Sequence, residues 1–389
     1  MRTPLVLATA FIASLALFAC ASNDGSNRFS DGGVGGSSGT AGRGGSAGKG
    51  GSGGAGGHGG GSHDAGVDTA ARDGGMPCPG KLCGGKCSDP STDATNCGMC
   101  GNACATYQTC TAGVCTTTLT CPAAISGAPT QALAANMTEN GARAASGIPC
   151  ATLVAAIDTS AADHCAYYAA NATNKTCSGD PHVEVSGCAD YVAAQFYDRM
   201  AKAGYTGSPA FEDMAFSDDG ASATKQWIDS IWHRIPVLSP WIRDFGYGGA
   251  TGCDTMDFGV GAATPDSATA VYPYPGQTGV PTSFNGTYEG PPPPAPPSGW
   301  PSGYPITVYV KSVKPPTDKS QHTISVLGTT TLLDHQIISP GDSTAMGLLT
   351  DELILYTNAP LSPSTSYHVH VEATGSAGAT TFDWVFTTM

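Results

Sequence analysis

Eight cysteines fall within 38 residues: Cys78, Cys83, Cys87, Cys97, Cys100, Cys104, Cys110 and Cys115. Apolar side chains between them are too few to build a hydrophobic core, so covalent bridges have to supply the order. The spacing Cys97-x-x-Cys100 is also that of half a zinc site or of a redox pair. No second well-spaced Cys/His pair stands alone, which favours disulfides. The whole chain carries 15 Cys, and setting Cys20 aside leaves 14, the even number that seven bridges require. Such density points to metal in a reducing compartment and to disulfides in an exported protein.

Export is also what the N-terminus implies. One Arg precedes an apolar run of about 15 residues, short for a membrane span and of the length found in secretory signals. The run ends Leu17-Phe18-Ala19-Cys20, which resembles a bacterial lipobox. Residues 1–19 are then a lipoprotein signal peptide, and Cys20 is the lipidation site that anchors the protein to a membrane. Ala21-Ser22-Asn23 places no Asp directly after the Cys, which in the lipoprotein pattern implies sorting to the outer membrane. Residues 20–77 form a tether: 21 of the 45 residues from Asp31 to Gly75 are Gly, a composition that cannot bury a core. Matches to G-x-S-x-G inside it, such as those at Ser37 and Ser46, lack the strand and helix that a nucleophile elbow needs. A formal charge of −14, with no basic face, excludes nucleic acid as a partner.

After the Cys-rich module (78–115) the pattern becomes helical. Leu153, Ile157, Ala161, His164 and Tyr168 recur at intervals of three or four, one face of a helix. A second helix is expected from Asp190, a plausible N-cap, to Ala203, with Gly204 as its stop. A third is expected from Ser222 to Arg234. Phe245-Gly246-Tyr247-Gly248 and Met256-Asp257-Phe258-Gly259 read as strands, so residues 121–262 make a mixed α/β domain. Pro291–Pro297 must be extended, which makes 263–301 a Pro-rich linker. Beyond it the period changes to two: Ile306, Val308, Val310; Tyr367, Val369, Val371; Phe382, Trp384, Phe386. Several strands and a turn at Ser339-Pro340-Gly341-Asp342 predict a β-sandwich over 302–389, with His368 and His370 facing solvent. This last part resembles bacterial Ig-like domains. Of the six Cys in the α/β domain, Cys165 lies less than two turns before the helix end near Asn171, and Cys177 is expected to fold back to it.

A set of short motifs runs through the α/β domain in order. They are Asn140-x-x-Arg143-x-x-x-Gly147-Ile148-Pro149, Ala162-Asp163-His164, His182, and Tyr197-Asp198-Arg199-Met200-x-x-Ala203-Gly204-Tyr205. Glu212-Asp213-Met214-Ala215, Trp227-Ile228-Asp229-Ser230-x-x-His233-Arg234 and Gly246-Tyr247-Gly248 follow. Together they resemble the bacterial branch of the CAP superfamily, the SCP-like proteins related to cysteine-rich secretory and plant pathogenesis-related proteins. The resemblance covers about 140 residues and implies an α-β-α sandwich with an open cleft. It also implies that His182, Glu212 and His233 line that cleft and hold a divalent cation. Two imidazoles and a carboxylate are a competent set for a Zn²⁺-like ion, and without metal the same groups can act as general acid and base. Two positions depart from the family. Glu-Asn is Glu212-Asp213 here, and the second Glu that some members carry three residues after the Trp is Ser230. Asp229 is adjacent, but on a helix it points about 100° away. His164, on an apolar helix face, reads as a core histidine, and Arg199 as a tie between helix and loop through a carboxylate.

Three functions compete. The first is a surface-displayed binding module whose cleft takes a cation and an extracellular ligand. The second is a metal-dependent extracellular hydrolase, and the third a structural or adhesive lipoprotein with a vestigial cleft. No Ser or Cys nucleophile with an evident base is present, which weighs against the enzyme, while tether, spacer and β-domain resemble a display architecture.

Overall fold

The computed structural model describes residues 78–104, 108–217, 219–260, 265–345 and 347–389. The signal segment, Cys20, the tether and its G-x-S-x-G matches lie outside them. No described helix is long and apolar enough to cross a membrane.

The Cys-rich stretch consists of two small hairpins, β1 (Lys81–Cys83) with β2 (Lys86–Ser88) and β3 (Gln108–Thr111) with β4 (Val114–Thr117). Four bridges close it: Cys78–Cys87, Cys83–Cys100, Cys97–Cys110 and Cys104–Cys115. Loops of this size are each expected to remove roughly 3 kcal/mol of chain entropy from the unfolded state. The module is more than a spacer. Ala103 N–H donates to Asp383 O (3.2 Å), Asn102 Oδ1 accepts from Val385 N–H (3.4 Å), and Gln108 Nε2 donates to Ala145 O (2.6 Å).

The α/β part comprises α1 (Thr130–Ala145), β5 (Thr152–Leu153), α2 (Ala155–Asn171), α3 (Phe196–Lys202), β6 (Ser208–Ala215), α4 (Gly220–Asp229), α5 (Arg234–Leu238), β7 (Ile242–Ala250) and β8 (Cys253–Val260). Its sheet has the order β5-β7-β8-β6, parallel between β5 and β7 and antiparallel elsewhere. Alternation along β7 decides which helix covers which face. A Cβ on Gly246 would lie 2.2 Å from Asp158 N, and one on Gly248 2.0 Å from Ala162 N, so α2 rests on bare strand backbone. Tyr247 points the other way, toward Gly220 at the start of α4. On that side the fully buried Arg143 of α1 donates to the carbonyls of Pro149, Val237, Ser239 and Ile242. Asn140 is paired in both directions with Ala151.

The remaining bridges are Cys121–Cys150, Cys165–Cys253 and Cys177–Cys188. The expected Cys165–Cys177 link is therefore wrong. Cys165 is wholly buried where α2 meets the sheet, so its sulfur reaches β8, while Cys177 closes the loop that follows the helix. Helix limits shift for equally local reasons. Residues 190–195 stay out of α3 because Glu184 Oε2 accepts from Val192 N–H (2.7 Å) and Ala193 N–H (3.1 Å), and Asp190 takes a left-handed φ of 54°. Asp219 caps α4 by accepting from Ser222 N–H (2.7 Å), so the helix starts at Gly220 and not at Ser222. The helix ends at Asp229, and a fresh turn begins at Arg234.

Strands β9 (Thr269–Tyr272), β10 (Ile306–Val310), β11 (His322–Val326), β12 (His335–Ile338), β13 (Glu352–Thr357), β14 (Ser366–Gly375) and β15 (Gly378–Thr387) make two antiparallel sheets, β12-β13-β10-β9 and β11-β14-β15. Residues 263–301, expected as linker, thus contribute an edge strand paired with β10. The predicted alternation holds on β14, where Tyr367, Val369 and Val371 are buried while His368 and His370 lie on the outer face beside Asp383. It fails on β10, all five residues of which are buried. The cause is Arg234, which donates to Pro305 O (2.7 Å) and Thr307 Oγ1 (3.3 Å) and sits over the rings of Tyr272 and Tyr304. One hydrophobic core consequently runs from Trp227, Val237 and Phe245 through Tyr272 and Ile306 to Trp384.

Candidate functional site

His182, Glu212 and His233 line one small cavity, although they come from a loop, from the middle of β6 and from the residue preceding α5. Phe211, Asp213, Trp232, Ile235 and Pro236 complete its walls, and Gly290 and Leu348 reach it from the C-terminal part of the chain. It encloses about 10 Å³, space on the order of a single water molecule.

Glu212 is the hub. Its Oε1 accepts from His182 Nδ1 (3.0 Å), its Oε2 is paired with the Arg199 guanidinium, and His164 Nε2 lies 3.8 Å away. Burial pushes this carboxyl up, but Arg199, His164 and His182 together outweigh burial and hold it well below the usual carboxylate range. Opposite it in the ladder, Asp257 is driven the other way, first by burial and then by the Glu212 charge. The two facing carboxyls are thus pushed apart, Glu212 toward the ionised form and Asp257 toward the protonated one, while Ser160 Oγ donates to Asp257 Oδ2 (2.7 Å).

Behind this pair stands a second carboxylate. His164, fully buried as expected, places Nδ1 3.0 Å from Glu184 Oε1 and Nε2 2.8 Å from Pro181 O. Arg199 Nε lies 3.6 Å from the same Glu184, so this arginine ties α3 to the loop through Glu184 and to β6 through Glu212. Nothing in the sequence marks Glu184, which sits in a loop without periodicity.

On the other side of the cavity His233 Nδ1 is 2.9 Å from Ser230 Oγ. Ser230 Oγ also donates to Glu289 Oε2 (3.0 Å), and Ile231 N–H donates to Glu289 Oε1 (3.1 Å). Glu289 lies in the segment expected as linker, and no motif pointed to it. It is buried, yet the proximity of His233 and the bonds from Ser230 and Ile231 overcome burial and lower its pKa.

Among the described residues, one group of three potential ligand atoms lies within 4.8 Å of one another: the sulfurs of Cys97, Cys104 and Cys115. All three are in disulfides, so none can serve as a thiolate ligand. His182, Glu212 and His233 share a cavity without forming such a tight group.

No protein-family model matches this chain, and no curated protein matches it. Among solved structures, an extracellular protein containing an SCP domain from Bacillus anthracis is 18% identical, with a TM-score of 0.29. The match covers 34% of this chain and 40% of that one.

Proposed function

We propose that this chain is an exported, surface-displayed SCP-like protein whose cleft holds a divalent cation of the Zn²⁺ type through His182 and His233, with Glu212 as the associated carboxylate. The observation that carries this reading is the pairing of each cleft histidine with a buried carboxylate on its Nδ1 side, His182 with Glu212 directly and His233 with Glu289 through Ser230. Carboxylates behind imidazoles are the arrangement that orients metal-ligating histidines. A cavity with room for about one water favours an ion over a polymer as occupant.

Export is supported by seven disulfides, which persist in oxidising compartments. The SCP-like assignment is supported by helices on both faces of a four-stranded sheet, and by the gathering of the three motif residues in one cavity. The Ig-like assignment of the C-terminal sheets is supported by their strand order, which corresponds to the D-E-B-A and C-F-G order of a seven-stranded immunoglobulin-type sandwich. Tyr367 at the start of β14 also bonds back, through its hydroxyl, to Ser362 N–H (2.7 Å), the position of a tyrosine corner.

Calorimetry with Zn²⁺ on the full chain is the test. Binding is expected at neutral pH, with strong weakening in His182→Ala and in His233→Ala. Because imidazole must be neutral to coordinate, affinity should fall steeply below pH ~6. Absence of binding at neutral pH, or undiminished affinity in both variants, refutes the metal site. Display through a lipid on Cys20 is tested separately: Cys20→Ser should release the protein from the membrane fraction, and unchanged fractionation in detergent-free buffer speaks against the anchor.

A further inference from the structure

The segment joining β9 to β10 is fastened beside the cleft at two points. Trp232 Nε1 donates to Pro291 O (2.5 Å), and the Tyr356 hydroxyl donates to Pro294 O (2.5 Å). Glu289 is thereby held against the break between α4 and α5. Where the family resemblance expects a second Glu, this chain has Ser230, and a carboxylate arrives at that serine from 59 residues further along.

The bonds that meet at Ser230 Oγ, which also accepts from His233 N–H (3.1 Å), set the proton arrangement. An ionised carboxylate only accepts, so the single hydroxyl proton of Ser230 is committed to Glu289 Oε2. Ser230 Oγ must then accept across its 2.9 Å contact with His233 Nδ1, which puts a proton on Nδ1. A neutral imidazole has one ring proton, so its lone pair resides on Nε2. Nδ1 lies 3.6 Å from Glu289 Oε2 and 2.9 Å from Ser230 Oγ, so the serine makes the closer hydrogen bond and the carboxylate adds its charge behind it.

We infer that Glu289 is a positioning residue of the cleft, acting through Ser230 to fix His233 in the Nδ1–H form with Nε2 as its ligating atom. The consequence for metal rests on the function proposed above; the tautomer does not. His182 reaches the same state without a relay, since Glu212 accepts directly from its Nδ1. The site therefore takes one carboxylate from the α/β sheet and one from the joining segment.

The test is the tautomer itself, read by long-range ¹H–¹⁵N correlation on the full chain with ring-labelled histidines at pH 8. Wild type should show His233 with a protonated Nδ1 and an unprotonated Nε2. In Glu289→Gln the amide can donate to Ser230, which frees the serine proton to point at Nδ1 and moves the ring toward the Nε2–H form. Ser230→Ala should produce the same drift by removing the relay, and Glu289→Asp should restore the wild-type form in part. Unchanged His182 signals certify that each variant is folded. A wild-type His233 protonated on Nε2, or a ring unmoved in both Glu289→Gln and Ser230→Ala, overturns the inference and leaves Glu289 as a staple for the segment. Zn²⁺ affinity measured in parallel should fall ~10–100-fold in Glu289→Gln. A tautomer that responds in a protein that binds no Zn²⁺ upholds the positioning and removes the metal site. Zn²⁺ binding with an unmoved tautomer does the reverse.

Discussion

Glu139 on α1 is completely buried, neither of its carboxylate oxygens has a hydrogen-bond partner, and Arg143 stands 4.0 Å away. Burial, only partly opposed by Arg143, raises its pKa from 4.5 to about 8. In the window between those values the folded state keeps a proton that the unfolded state has released, so stability falls as pH rises. Glu139→Gln removes that cost. Its gain in unfolding free energy should be near zero at pH 4 and reach up to about 4 kcal/mol at pH 8. Denaturant titrations at pH 4, 6 and 8 check this, and an equal gain at all three would contradict the assignment. At this scale the site was only half legible. His182, Glu212 and His233 could be found because each occupies a motif position, and His164 because an apolar helical face surrounds it. Glu184 and Glu289 act on partners 20 and 59 residues away, and no local spacing records a contact made across the fold.

Close approach, and not turn geometry, explains Gly246 and Gly248 of β7. Gly248→Ala would drive a methyl into the α2 backbone, 2.0 Å from Ala162 N and 2.3 Å from Ala161 C, and neither strand nor helix can give way alone. A loss of about 3 kcal/mol is expected, at the upper end for overpacking. Gly141 is the contrasting case, an exposed position within α1 with nothing within 4 Å of an added methyl, where Ala should stabilise by up to about 1 kcal/mol. Thermal unfolding of the two variants should move in opposite directions. Sequence pattern announced α2, α3 and α4 and the strands β7, β8, β10, β14 and β15, but not α1 or β6, and it did not give the ends of the elements. Glu184 pulls residues 192–193 out of the expected second helix, and the α4–α5 break serves Glu289, so both limits are set by tertiary bonds that propensity does not encode. The sulfur of Cys165 likewise follows the face of its helix and not the nearest cysteine in sequence.

The molecule as a whole departs most from a reading in separate domains. Alternation suggested a freely solvated outer face for the C-terminal sheet, yet Thr307 and Tyr309 are fully buried against Arg234, and Tyr309 donates to its carbonyl (3.0 Å). Proline runs signal extended chain, which is correct, but composition cannot tell a free linker from one packed in place. A chain cut after residue 262 should therefore expose the apolar surface that Tyr272, Ile306 and Tyr309 cover. It is expected to bind a hydrophobic dye and lack a cooperative calorimetric transition, whereas residues 78–389 should unfold in one step. A sharp transition in the shortened chain would show that the α/β part folds alone. The four bridges of the Cys-rich module carry a mechanical consequence. The loops they close, 78–87, 83–100, 97–110 and 104–115, each overlap the next, like links. A pull applied at residue 78 is thus borne by sulfur–sulfur bonds along the whole module. The backbone between the links cannot run out to its contour length, and the load arrives at residue 115 with little extension on the way.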